Sequence, residues 1–87
     1  MSATGAEAQK KYKDMKDYFR KMLSKRQFSK PDSKKGDSIV KRIGNFFGRK
    51  KWNNMMKTKN SYDKQLQKGL RTDKDSDWKE VSKKFNK

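Results

Sequence analysis

Excess positive charge constrains the fold of this chain more than any other feature of its sequence. Among 87 residues, 26 Lys and Arg stand against 10 Asp and Glu, which leaves a formal net charge of +16 at pH 7. Only 12 residues are Leu, Ile, Val or Phe, a share below the roughly 20% at which disorder becomes a serious expectation. We therefore expect a marginally stable chain that gains order when a partner or a second copy neutralises charge.

Several classes of site are excluded by the residue types that the chain lacks. Without cysteine or histidine there can be no disulfide framework, no Cys/His zinc site and no Cys- or His-based catalysis. We expect a non-enzymatic protein that uses no cofactor and no metal. No stretch resembles a membrane span or a secretory signal, so we expect an intracellular protein of the cytoplasm, the nucleus or a virion interior, neither secreted nor transmembrane.

Apolar residues recur with helical periodicity and predict an all-α domain of about four amphipathic helices. The predicted helices span residues 5–27, 38–47, 50–69 and 76–86. The first is the clearest, because apolar residues at spacings of four and three form a single stripe on it. The stripe consists of Ala8, Tyr12, Met15, Phe19 and Met22.

Two boundary signals lie in the N-terminal half of the chain. Thr4 and Glu7 have the spacing of a capping box, behind a flexible start of four residues. Residues 29–37 hold the only proline and predict a solvated internal linker. Asp37 or Ser38, at the end of this linker, can cap the second helix.

Glycines and acidic residues set the later boundaries. Gly48 predicts the end of the second helix, since continuing that helix would turn Trp52 away from its apolar side. Gly69 marks the end of the third helix. A cluster of acids then predicts the start of the fourth helix, where negative charge complements the helix dipole. The acids of this cluster are Asp73, Asp75 and Asp77.

The charge predicts binding to a polyanion, and RNA or DNA is the leading candidate. Lysines outnumber arginines 21 to 5, and an ammonium group lacks the planar fork that reads a guanine edge. We therefore expect largely sequence-nonspecific contacts to phosphates. In composition, a small, Lys-rich, cysteine-free helical chain resembles small viral core proteins and other condensing proteins, which implies a nucleoprotein-like role.

The largest local charge excess lies in the centre of the chain, where residues 32–60 hold nine basic and two acidic residues. In a functional interpretation, Trp52 stacks on an unpaired base within this basic patch. In a structural interpretation, which we favour, Phe46, Phe47 and Trp52 all belong to the core. The predicted nucleic-acid contacts are Lys34, Lys35, Lys41, Arg42, Arg49, Lys50, Lys51, Trp52, Lys57 and Lys59.

Two alternative functions and a homodimer stay open. The helix over 38–47 has the pattern of an interfacial helix that binds an anionic membrane, although a core helix has the same pattern. Its apolar residues are Ile39, Val40, Ile43, Phe46 and Phe47. A second alternative is a small viral accessory factor that folds on an acidic host protein. A homodimer would share the aromatic and methionine face.

Overall fold

A computed structural model describes residues 5–72 and 77–86, and within these ranges the chain forms three α-helices and no strand. Helix α1 spans Gly5–Ser24, α2 spans Ile39–Gln67 and α3 spans Trp78–Phe85. The all-α prediction is confirmed, but the predicted number of four helices is wrong. The helices predicted over 38–47 and 50–69 are one continuous helix of 29 residues.

Helix α1 ends in a Schellman motif three residues before the predicted limit of 27. The amide of Gln27 donates to the Met22 carbonyl and the amide of Arg26 to the Leu23 carbonyl, both at 2.9 Å. This pattern requires a left-handed residue after the helix, and Arg26 takes that conformation with a φ of 55°. An arginine therefore stands where glycine is the usual choice.

A side-chain cap ends the connection between α1 and α2 and begins the second helix. Ser38 is the N-cap, and its Oγ accepts from the Lys41 amide at 3.2 Å. Asp37, the other predicted cap, accepts from the Lys34 amide at 2.6 Å and so closes a turn within the connection.

Gly48 does not end a helix, because it lies inside α2 where the connection packs against it. A Cβ at Gly48 would stand 3.4 Å from Cβ and Cγ of Pro31, at the limit of ordinary van der Waals contact, so Pro31 lies directly against this position. One turn earlier, Asn45 Nδ2 donates to the Asp32 carbonyl at 3.3 Å. The predicted break at Gly48 is therefore wrong, since α2 continues through this glycine and the connection packs against it.

The C-terminal end of α2 lies close to its predicted position. The helix ends at Gln67, and Gly69 follows with a φ of 72°. The Leu70 amide donates to the Gln65 carbonyl at 2.9 Å, which completes a second Schellman motif.

The remaining predicted caps lie partly outside the described residues. These are Thr4 of the capping box, and Asp73 and Asp75 of the acidic cluster. Asp77 directly precedes α3, but its side chain makes no capping hydrogen bond. Instead its Oδ1 accepts from Arg20 Nη2 at 3.2 Å and ties the start of α3 to α1.

All three helices contribute to one aromatic core. Phe19 of α1 lies at its centre, with its ring centroid 5.7 Å from that of Trp52 and 4.9 Å from that of Phe85. Three residues of the predicted α1 stripe, Met15, Phe19 and Met22, are buried there. The buried apolar residues of the other two helices are Trp52, Tyr62, Trp78, Val81 and Phe85.

The apolar residues of the first turns of α2 are not part of this core. A rotation of about 100° per residue puts Ile43 half a turn around the helix from Trp52, and Trp52 faces the core. Phe46 and Phe47 lie on the side of Ile43 and are exposed. The core interpretation is therefore confirmed for Trp52 and wrong for Phe46 and Phe47, because the helix does not break between them.

Replacing Arg26 by glycine should stabilise the domain. A left-handed conformation costs an L-residue about 1–2 kcal/mol, a cost that glycine avoids. Glycine also has more conformational freedom in the unfolded state, which reduces this gain in stability by about 0.4–1 kcal/mol. We expect Arg26→Gly to raise the free energy of unfolding by roughly 0.5–1 kcal/mol, and Gly69→Ala to lower it by a similar amount. Thermal unfolding followed by circular dichroism measures both. A lower midpoint for Arg26→Gly would contradict the described end of α1.

Candidate functional site

Basic charge is concentrated on α2. This helix carries eight Lys and Arg residues and a single acid, Asp63. Asp63 belongs to the side of the helix that packs against α3, so its charge is used within the fold. The solvent-facing surface of α2 is therefore basic without acidic residues of the same helix to offset it.

A polar network around Asp63 joins α2 to α3. Lys59 is fully buried, and its Nζ lies 2.9 Å from Asp63 Oδ2. From α3, Trp78 Nε1 donates to Asp63 Oδ1 at 3.2 Å and Ser82 Oγ donates to Oδ2 at 2.9 Å. Lys59 Nζ also donates to Asn86 Oδ1 at 2.5 Å. The buried ammonium group and its partly buried carboxylate thus each have further hydrogen-bonding partners, as burial of a charge requires.

Two predicted nucleic-acid contacts are buried and do not belong to the surface. Lys59 lies one heptad after Trp52, so both project from the same, core-facing side of α2. The Trp52 ring is enclosed by Phe19 and Phe85, each with its centroid 5.7 Å away. The interpretation of Lys59 as a surface contact and of Trp52 as a stacking platform is therefore corrected.

The predicted cluster from Lys41 to Lys51 is spread around the helix. Arg49 turns toward the connection, where its Nη1 lies 2.6 Å from Asp32 Oδ1. This hydrogen bond holds the pKa of the Asp32 carboxyl below its usual value. Lys51 stands on another side, with its Nζ 5.4 Å from the ring centroid of Tyr18.

Lys41 also has a local partner. Its Nζ lies 3.5 Å from Asp37 Oδ1, and the pKa of the Asp37 carboxyl is lowered, first by the hydrogen bond from the Lys34 amide and then by Lys41. Arg42 is exposed. Lys34 and Lys35 are exposed in the connection, which packs on the side of α2 that carries Gly48. These basic residues therefore surround the start of α2 but do not share one face.

A row of lysines runs along the outward side of α2. Lys50, Lys57 and Lys64 repeat at intervals of seven residues, about 10.5 Å each, and Lys68 follows one turn later in the C-cap. All four are exposed. We call them the outer lysine row. It extends over about 27 Å on the side of α2 opposite to the core.

Neutral polar residues fill the spaces within the outer lysine row. Two shallow clefts adjoin it and share Lys57 and Ser61. Lys11 of α1 lines the second cleft and adds a fifth ammonium group. Among the described residues that line the two clefts, none is acidic. The other lining residues are Tyr12, Asn54, Thr58, Asn60, Lys64, Gln65, Lys68 and Leu70.

Sequence reasoning found part of this row and missed the rest. Lys50 and Lys57 are among the predicted contacts, whereas Lys11, Lys64 and Lys68 are not. The seven-residue spacing from Lys50 to Lys64 was a usable signal, because it places three ammonium groups on one side of any continuous helix. Lys11 could be found only from the packing of α1 against α2.

Comparisons of the chain with protein-family models, with curated proteins and with solved structures find no match. None of the helices among the described residues combines the length and the apolar character that a membrane span requires. Nor do residues 5–72 and 77–86 contain a group of three or more His, Cys, Asp or Glu that could hold a metal ion. The site must therefore be interpreted from its own residues.

Removing the acid of the buried pair should destabilise the fold strongly. Asp63→Ala leaves the Lys59 ammonium buried without its counter-ion, a loss of about 3–5 kcal/mol. Adding Lys59→Met removes the orphaned charge and should restore much of this stability. Asp17→Ala, which breaks the exposed pair with Lys13, is the matched control and should cost under about 1 kcal/mol.

Urea unfolding of the three variants measures these differences. If Asp63→Ala and Asp17→Ala lower the free energy of unfolding equally, the Lys59–Asp63 pair stabilises the fold no more than an exposed ion pair does.

Proposed function

We propose that this chain binds RNA or DNA by contacts between the outer lysine row and the phosphate backbone. The observation that carries the proposal is the row itself, which presents Lys50, Lys57, Lys64 and Lys68 on one exposed side. Its length of about 27 Å corresponds to about eight base pairs of a duplex at 3.4 Å each along the axis. Several simultaneous phosphate contacts are therefore sterically reasonable.

The residues around the row support recognition of phosphates. Asn60 and Ser61 line the same cleft as Lys57 and Lys64. Amide and hydroxyl side chains donate hydrogen bonds to phosphate oxygens and tolerate the high anionic charge of a nucleic acid. Absence of acids from the described lining keeps the local potential positive, which steers a polyanion toward this side.

Binding through this row would be independent of sequence. Each lysine is a hydrated point charge and makes no bidentate contact with a base edge. Trp52, the candidate for base stacking, is buried and has no part in the proposal. The exposed residues Lys34, Lys35, Lys41, Arg42 and Lys51 would contribute long-range attraction around the start of α2.

Neutralising two lysines of the row should weaken the salt dependence of binding. We expect Lys57→Gln/Lys64→Gln to reduce the slope of log K against log salt by about 1.8 for duplex DNA, since each lost phosphate contact contributes about 0.9. Lys79→Gln/Lys84→Gln is the control: it makes the same change in net charge on exposed positions of α3, which packs on the core side. Its slope should change much less.

Fluorescence anisotropy with labelled duplex and single-stranded oligonucleotides at several salt concentrations measures both slopes. Equal effects of the two double variants would mean that the total charge, not the row, governs binding. An unmodified chain that fails to bind oligonucleotides in dilute buffer would overturn the proposed function.

A further inference from the structure

The first three turns of α2 present a continuous apolar surface to solvent. The exposed fractions are 76% for Ile39, 81% for Val40, 52% for Ile43, 54% for Phe46 and 61% for Phe47. These residues share an arc of about 120° on the helix, and the rings of Phe46 and Phe47 touch edge to face at 5.5 Å. We call this surface the α2 apolar face. Such a concentration is unlike the single exposed apolar residues common on protein surfaces.

The fold itself prevents the α2 apolar face from turning inward. The opposite side of the same segment is attached to the connection, through Asn45 and the Asp32 carbonyl and through Arg49 and the Asp32 carboxylate. The same continuous helix also directs Trp52 toward the core. Rotation of the first turns would therefore break the attachment or withdraw Trp52, so an occupant must come from outside the domain.

Basic side chains flank the α2 apolar face. They favour a binding partner that is both apolar and negatively charged. Arg42 lies next to one edge of the apolar arc and Lys51 next to the other. Lys50 and Lys57 continue along the same side of the helix. Long basic side chains at the borders of an apolar helix face can lie at the depth of lipid headgroups while the apolar residues enter the acyl region.

A second copy of this chain fits the α2 apolar face less well. Pairing would bring the flanking Arg42, Lys50 and Lys51 of two copies together, each copy with a net charge of +16. An anionic bilayer removes this difficulty, because it supplies opposite charge as well as apolar volume.

We propose that the α2 apolar face inserts at the boundary between the headgroups and the acyl chains of an anionic membrane, with α2 parallel to the bilayer surface. This inference does not depend on nucleic-acid binding. Membrane insertion nevertheless affects nucleic-acid binding, because Lys50 and Lys57 face the same side as the apolar residues. A bound bilayer and a bound nucleic acid therefore compete for the outer lysine row.

Vesicle co-sedimentation tests the proposal directly. The unmodified chain should bind vesicles of phosphatidylcholine with phosphatidylserine and bind pure phosphatidylcholine vesicles weakly. Phe46→Ser/Phe47→Ser should reduce binding to the anionic vesicles about tenfold or more. Ala6→Ser is the control: it changes an exposed residue of α1 that belongs to neither the face nor the outer lysine row, and it should leave binding unchanged. Anionic vesicles should also displace an oligonucleotide from the unmodified chain.

Further measurements distinguish membrane insertion from the alternatives. The emission of Phe47→Trp should shift to the blue when anionic vesicles are added, and an unshifted emission would overturn insertion. Equal vesicle binding by the double serine variant and the unmodified chain would also overturn it. Sedimentation equilibrium showing a dimer that Phe46→Ser/Phe47→Ser dissociates would instead assign the face to a second copy. If Phe46→Ser/Phe47→Ser still binds oligonucleotides, a negative result for membrane insertion leaves the proposed nucleic-acid binding intact.

Discussion

Attachment of the connection to α2 is the constraint on which the other features depend. Two glycines, Gly44 and Gly48, lie in the first turns of this helix, and each weakens a helix by roughly 0.5–1 kcal/mol relative to alanine. The attachment acts against this weakness, because Pro31 packs on Gly48 and Asp32 binds Arg49 at 2.6 Å. With the helix continuous, the direction of every side chain from Ile39 to Gln67 is determined by its position in the sequence.

Continuity divides α2 into two surfaces with different roles. Toward the core, Trp52, Lys59 and Tyr62 are buried, and the Lys59–Asp63 pair connects the helix to α3. Toward solvent, the α2 apolar face passes along the helix into the outer lysine row. A chain with so much positive charge can form this core because its buried ammonium group has a partly buried counter-ion and the other lysines of α2 are exposed.

Much of the fold was accessible from local sequence patterns. The stripe of Met15, Phe19 and Met22, the Ser38 cap and the turn at Gly69 are each determined by a few neighbouring residues. Gly48 was misinterpreted because a glycine that ends a helix and one that lies inside a helix have the same local sequence. The residue that packs against it, Pro31, lies 17 positions earlier in the chain.

The candidate site was less predictable for the same reason. Lys59 differs from Lys57 only in its position around the helix, yet one ammonium group is buried and the other is exposed. The side of α2 that α1 and α3 cover decides between them, and this follows from tertiary packing. Phe46 and Phe47 were assigned to the core because an amphipathic pattern does not show whether protein, lipid or water covers an apolar face.

A distance across Gly48 tests the continuity of α2 most directly. The chain has no native cysteine, so spin labels can be placed specifically with Ile43→Cys and Lys64→Cys, two exposed positions on the outward side. One unbroken helix separates these Cα atoms by about 32 Å, and double electron–electron resonance should give a single narrow distribution near that value. A broad distribution or a clearly shorter distance would show a break, and the outward surface described for α2 would then be incorrect.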